Sequence, residues 1–128
     1  MKDPLFLRLH EILEIHSDQI ARYGGAHGIR DMGLLQSAVA TPMSSFGGHF
    51  LHSDLFEMAA AYLYHLVKNH AFVDGNKRVG TVAALVFLEL NGIELDAQET
   101  AFERLVLDVI ESKSSKGGIA EFLRRNST

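Results

Sequence analysis

The amino-acid sequence predicts an all-α protein: a single helical domain over residues 1–128, interrupted by one short irregular segment. Three observations carry that expectation. Apolar residues recur at helical spacing along most of the chain, as in Leu5, Leu9, Ile12, His16 and Ile20. The stretches so marked are bounded by capping residues, glycines and a proline. Alternating patterns are almost absent, leaving only the 43–53 segment and Ile93-Glu94-Leu95 as candidates for extended chain.

The elements follow in order. Asp3-Pro4 reads as the start of the first helix, since Asp caps and Pro suits the first turn. Gly24-Gly25 ends it. Asp31 can cap a short second helix that Pro42 terminates. In the 43–53 segment Gly47-Gly48 breaks any helix, and the flanking aromatics allow a short extended piece. A third helix starts near Ser53 or Asp54, carries Leu55, Phe56, Ala59, Leu63, Leu66 and Val67 on its apolar stripe, and stops before His70. The fourth, about Asn76 to Leu90, is apolar nearly all round and is expected in the middle of the domain, with Asn91-Gly92 as its stop. Asp96 with Glu99 resembles a capping box for a fifth helix over about Ala97 to Lys113. Ser114 to Gly118 reads as a flexible turn before a last helix, Ile119 to Arg125.

Bulk properties narrow the function. At 128 residues the chain suits one domain and can bury a sizeable core without staples. It has no cysteine, which excludes disulfide and thiolate chemistry and makes the cytosol the natural setting. A net charge of −4 argues against direct nucleic-acid binding, which needs a basic face. The opening Met1-Lys-Asp-Pro has no apolar stretch, so no secretory leader is expected. The longest apolar run, Val79 to Leu90, is too short to span a bilayer, and no membrane association is expected.

The chemistry concentrates between the third and fourth helices, in His70-Ala-Phe-Val-Asp-Gly-Asn-Lys-Arg78. A polar loop there feeds an apolar helix, whose first N–H groups lack intrahelical partners and, with the helix dipole, form an anion site. Gly75 lets a phosphate approach the backbone. Lys77 and Arg78 add two cations, Arg able to bind oxygens bidentately. Asp74 fits a phosphate site only if it holds Mg²⁺, which one or two carboxylates and phosphate oxygens commonly bind. His70 carries an imidazole, the side chain most often used as a general base, while Phe72 is expected to point into the core. Base, metal ligand, anion hole and cations are the parts needed for transfer from a nucleoside triphosphate to a hydroxyl. By residue type alone the same stretch also reads as a solvated, well-capped turn.

The stretch resembles the signature of the Fic/Doc family, His-x-Phe-x-(Asp/Glu)-Gly-Asn-x-Arg. Ile20-Ala-Arg-Tyr-Gly-Gly25, Gly28-Ile-Arg-Asp-Met-Gly33, Asp54-Leu-Phe-Glu57 and Phe87-Leu-Glu-Leu-Asn-Gly92 are similar to the matching stretches of its Doc (death-on-curing) toxins, so the likeness runs from about Leu9 to Arg125. The resemblance implies an α-helical fold, His70 as general base, Asp74 as the Mg²⁺ ligand, and Gly75, Asn76, Lys77 and Arg78 around the phosphates. It implies that His70, Asp74 and Arg78 form the catalytic set. It matches the 43–53 segment, in particular Ser44, Ser45, Phe46, Gly47 and Gly48, to the flap that positions the target by strand addition.

Two departures from the AMP-transferring Fic enzymes bear on which group moves. Their motif reads Gly-Asn-Gly-Arg-x-x-Arg; here Lys77 stands for the second glycine and Thr81 for the last arginine. Lys at the first of these is the Doc form. The resemblance then implies a toxin kinase that passes the γ-phosphate of ATP to a threonine of elongation factor Tu and stops translation. Gly75 and Val82 differ from the best-known Doc pattern, where alanine and asparagine stand, and the glycine moves the loop back toward the Fic form. AMP transfer is therefore the alternative, and an idle module that only binds an antitoxin or regulator is the third reading. Ser53-Asp-Leu-Phe-Glu57-Met58 matches the family's inhibitory (Ser/Thr)-x-x-x-Glu-(Gly/Asn) pattern only in part, so inhibition is expected from a separate antitoxin segment that folds onto the toxin.

Other residues read as structural. His65, five before His70, has no zinc-type spacing and is not expected to pair with it on a metal. His16 is expected to be packed and hydrogen-bonded, His49 and His52 to be exposed. Arg22 can reach an acidic partner, Lys68-Asn69 is expected to solvate the end of the third helix, with nucleotide contact as the alternative, and Arg124 and Arg125 suit a helix C-terminus.

Overall fold

The computed structural model describes residues 3–128; Met1 and Lys2, half of the stretch read for a leader, lie outside them. Among the described residues the chain forms α1 (Leu9–Tyr23), α2 (Met32–Ala40), a 3-10 turn (Thr41–Met43), a hairpin of β1 (Ser45–Phe46) and β2 (His49–Phe50), then α3 (Leu55–Lys68), α4 (Asn76–Leu90), α5 (Glu99–Ile110) and α6 (Lys116–Arg125). The fold is all-α, and one core cluster draws residues from all six helices, among them Ile12, Leu35, Leu63, Phe87, Val106 and Ile119. None of the helices is long and apolar enough to cross a membrane.

Where helix ends are set by neighbours in sequence, the structure follows the sequence. Asp31 accepts from the Leu34 amide and Asp54 from the Glu57 amide, so α2 and α3 begin at their caps. Gly24 closes α1 with φ 82°, and α4 runs from Asn76 to Leu90 as its pattern predicts.

The first helix does not start at Asp3-Pro4. Residues 3–8 form no helix, and α1 begins at Leu9 with the Glu11 carboxylate accepting from the Arg8 amide. Leu7 is fully buried, and the Tyr62 hydroxyl both accepts from its N–H and donates to its C=O, at 2.9 and 3.1 Å. Leu5, expected on the helical face, is exposed and clipped by its backbone to the Asn91 side chain. A helix here would forfeit these bonds, and unpaired backbone groups at a buried site are costly. Downstream, Ile12, His16 and Ile20 are buried as predicted.

The centre is α3 rather than α4. Every residue from Met58 to Leu63 is buried, and the helix packs on both α4 and α6. Gly80 sets how closely α4 approaches: a Cβ there would lie 2.8 Å from Val67 Cγ2 and 3.1 Å from the Leu63 carbonyl. The far side of α4, with Val82, Leu85 and Val86, is only half-buried.

Two boundaries near the C-terminus also move. α5 begins at Glu99 rather than Ala97, because the Asp96 amide is held by the Asn126 carbonyl and Leu95 bridges to Ser127, leaving Gln98 at the cap. Of the expected Ile93–Leu95 strand only that bridge forms. α5 stops at Ile110, where Ser112 turns to φ 59° and the Asp108 carbonyl accepts from Lys113 and Ser114. The expected turn at 114–118 is largely helix, since Ser115 Oγ accepts from the Gly118 amide and starts α6 at Lys116.

Candidate active site

The motif loop joins α3 to α4 and lies antiparallel to the segment that follows α1. The Ala71 carbonyl accepts from the Arg30 and Asp31 amides at 2.7 and 3.0 Å, and the Val73 amide donates to the Gly28 carbonyl at 3.0 Å. Ala71 and Phe72 are buried, Phe72 in the core as predicted, so the loop is anchored on one side while its polar residues stay out. Gly25 makes the contact possible: with φ 118°, a Cβ there would stand 2.7 Å from Asp74 Oδ2.

The predicted site residues fall together on this loop. His70 is exposed and left-handed at φ 49°. Its carbonyl accepts from Arg30 Nε at 2.6 Å. Asp74 accepts at Oδ2 from the Ala26 amide and at Oδ1 from the Gly75 amide, at 3.2 and 2.8 Å. Those two N–H groups, the Ala26 one first, hold its carboxyl below the usual carboxylate range, with smaller help from the charges of Arg78 and His16. Asp74 is therefore an exposed anion. Among the described residues no group of three or more His, Asp or Glu could hold a metal by itself. The donor set suits Mg²⁺ shared with phosphate oxygens and water, and it does not suit an all-protein metal cage.

The start of α4 is open. Where α2, α3 and α6 put a side chain on a first-turn amide, α4 has Gly75 at its cap, φ 80°, with none. The N–H groups of Asn76, Lys77 and Arg78 have no partner within the helix. Arg78 donates to the Gln19 and Gly24 carbonyls at 3.3 and 3.0 Å, and its Nη2 lies 3.6 Å from where a Gly75 Cβ would be. Its cation thus closes the C-terminus of α1 and stands beside the open helix start. Lys77 is exposed, and its carbonyl accepts from Thr81 Oγ1.

The Asn76 side chain is turned onto the loop itself. It is only 8% exposed, accepting from the Phe72 amide and donating to the Phe72 carbonyl, both at 3.0 Å. The amide latches the loop shut, and its backbone N–H is what remains for an anion. The flap residues Ser45, Phe46, Gly47 and Gly48 are exposed on the hairpin, with Ser44 half-buried at its base, and no hydrogen bond joins them to the motif loop among the described residues.

Three supports were not assigned by sequence. His16 was expected to be packed; its partners are the Asp74 carbonyl, 2.8 Å from Nε2, and the Phe72 ring, stacked at 3.9 Å. Arg30 and Gln19 had no role, and only the glycine-rich stretch from Gly24 to Gly28 signalled that this segment meets something closely. Asn69 does not simply solvate a helix end: its side chain donates to the Leu34 carbonyl, while Lys68 donates to Ser112. Arg22 pairs with the Asp18 carboxylate one turn back on α1. His52 is not an exposed loop histidine. It is half-buried, and Lys116 Nζ lies 3.3 Å from its Nε2 and 3.0 Å from that of His65, away from His70. His49 is exposed as expected, and Arg124 in the last turn of α6 bridges Asp54 and Glu121.

Beside Lys77, Arg78 and Thr81 an open cleft of about 720 Å³ runs between α1, α4 and α5, walled by Val82, Leu85, Phe102 and Val106.

The sequence is similar to those of known proteins. A model of the Fic/DOC family matches residues 6–88. The chain is similar to a protein named Toxin Doc from Mycolicibacterium smegmatis, 47% identical over 75 residues, which are 59% of this chain and 58% of that protein. It is also similar to Protein kinase doc of Escherichia phage P1, 33% identical over 116 residues, 90% of each.

Proposed function

The chain belongs to the Fic/Doc family, and from that premise we propose that it is the toxin kinase of a toxin–antitoxin module. It transfers the γ-phosphate of ATP to a hydroxyl of a protein target in the cytosol. The proposed target is elongation factor Tu, and the outcome inhibited translation. The observation that carries the reading is the uncapped start of α4, whose open amides lie between an ionised Asp74 and the Arg78 guanidinium.

In this reading the amides of Asn76, Lys77 and Arg78 and the side chains of Lys77 and Arg78 hold the phosphates. Asp74 would hold Mg²⁺, which when bound would supply charge neutralisation at the phosphoryl group. His70 accepts the proton of the target hydroxyl as that oxygen bonds the γ-phosphorus. The bond from this phosphorus to the β–γ bridging oxygen breaks, and ADP leaves with the electron pair. Phosphate rather than AMP is favoured because Lys77 puts bulk and charge where close backbone approach would be needed. Thr81, whose hydroxyl is already bonded to the Lys77 carbonyl, offers no phosphate clamp. The partner that restrains the enzyme is proposed to be a cognate antitoxin, Phd-like or another small protein.

The test is the mass added to the target after incubation with ATP and Mg²⁺. A gain of about 80 Da supports phosphate transfer, and one of about 329 Da supports AMP transfer, which the left-handed Gly75 favours. No added mass on any bacterial protein, with any nucleotide, leaves the idle binding module.

A further inference from the structure

Two main-chain carbonyls of the motif loop, one at each end, are bonded by side chains from outside the motif. At the upstream end Arg30 donates through Nε to the His70 carbonyl at 2.6 Å and through Nη2 to the Asn69 carbonyl at 3.3 Å. At the downstream end His16 Nε2 lies 2.8 Å from the Asp74 carbonyl. A carbonyl can only accept, so this nitrogen carries the proton.

Each bond fixes something the chemistry needs. His70 sits at φ 49°, a region that residues with a Cβ avoid and keep only where the surroundings over-determine it. Relaxing that torsion would carry the His70 carbonyl off Arg30. The guanidinium also places a cation at the C-terminus of α3, where it is favoured. At the other end the peptide unit is planar and trans, so holding the Asp74 carbonyl aims the Gly75 N–H to the opposite side. That N–H is the one bonded to Asp74 Oδ1. His16 is 5% exposed and stacked on Phe72 within 6° of parallel, so it cannot swing away.

We infer that Arg30 and His16 are positioning residues with divided labour: Arg30 sets the base at His70, and His16 sets the carboxylate and helix start that take magnesium and phosphate. The division rests on the reading of His70 as base and Asp74 as the magnesium carboxylate.

The test uses the full chain with Arg30→Ala, Arg30→Lys, His16→Phe, which keeps a stacking ring without the donor, and His16→Gln, which restores a donor. Arg30→Ala lowers kcat about tenfold while affinity for the magnesium complex of a non-hydrolysable ATP analogue stays within about twofold. His16→Phe weakens that affinity about tenfold and His16→Gln recovers most of it; Arg30→Lys recovers part of kcat. Amide exchange, which needs neither target nor nucleotide, quickens at Val73 in Arg30→Ala and at Gly75 in His16→Phe, with the α3 core unchanged. Unaltered exchange at these amides overturns the inference, as does an equal fall of kcat and affinity in both variants. A wild-type chain that neither binds the analogue nor modifies a protein defeats the kinase reading instead, and exchange still decides whether the two side chains hold the loop.

Discussion

The loop that carries His70 and the hairpin that follows Pro42 are both short, irregular and glycine-bearing, yet they are held in opposite ways. The motif loop is bonded to residues far away in sequence, the Gly28–Asp31 backbone, the Arg30 side chain and His16, and is closed on itself by the Asn76 latch. The hairpin is bonded chiefly to itself, Ser45 opposite Phe50 and Phe46 opposite His49, with Phe46 81% exposed. Its outside support is the Phe50 ring against Phe6 and, at the root, His52 on Lys116. Group transfer needs atoms fixed to a fraction of an ångström, whereas a strand-adding flap needs an edge left unpaired for its target. On the proposed function, the rigid region and the open one would divide these requirements.

The comparison predicts unequal responses to mutation. On the proposed function, His70→Ala removes the base without touching the fold, since the side chain is exposed. Activity should fall by roughly a thousandfold with a thermal midpoint close to that of the parent protein. Full residual activity at the proper nucleotide concentration would reject His70 as base. Asn76→Ala should act on stability as well, because it strands the Phe72 N–H and C=O in a buried place. A loss of about 2 kcal/mol in denaturant unfolding is expected, together with most of the activity. If the variant is as stable as the parent, the latch is not what shapes the loop. Phe46→Ala lies at the other extreme: stability should stay within about 0.5 kcal/mol, nucleotide affinity should not move, and KM for the protein target should rise several-fold. A flap variant with unchanged target KM would remove the strand-addition role.

The sequence revealed these regions unequally. Local chemistry was readable: Asp31 and Asp54 cap within their own first turns, and the span of α4 follows from its apolar pattern and its Asn-Gly stop. The motif's residue types pointed to an anion site, and the start of α4 there carries no side-chain cap. What could not be read were bonds to distant backbone atoms, which leave no residue pattern. Leu7 is drawn into the core by Tyr62, 55 positions on, so the Asp3-Pro4 signal loses. Asp96 is occupied by the chain end and cannot cap α5. Asn76 was legible as part of a phosphate motif, but its partners are the N–H and C=O of Phe72, and any residue would supply those. Arg30 is 40 positions from the carbonyl it holds.

The smallest expected effect is on the acid side, at the root of the flap. Burial, then the Lys116 charge, then His52 lower the His65 pKa from the ordinary 6.5 to about 4. Burial and Lys116 also lower that of His52, with Glu57 opposing. At neutral pH both imidazoles are therefore neutral in the folded chain and accept from the Lys116 ammonium. The unfolded chain takes up protons near pH 6.5, while folded His65 does so only near 4. Between those values the unfolded state binds more protons, so stability falls as the pH drops through this window and is unaffected above it. Part of each ring reaches solvent, which keeps the loss modest. The contribution of the cluster is the difference between the parent protein and His65→Leu, since carboxylates add their own acid slope. A shallower decline in the variant from pH 6.5 to 4 is expected, with the flap amides opening before the motif loop in hydrogen exchange. Equal declines would mean that Lys116 does not clasp the flap root through these rings, and that the hairpin is held by its own strands and Phe6 alone.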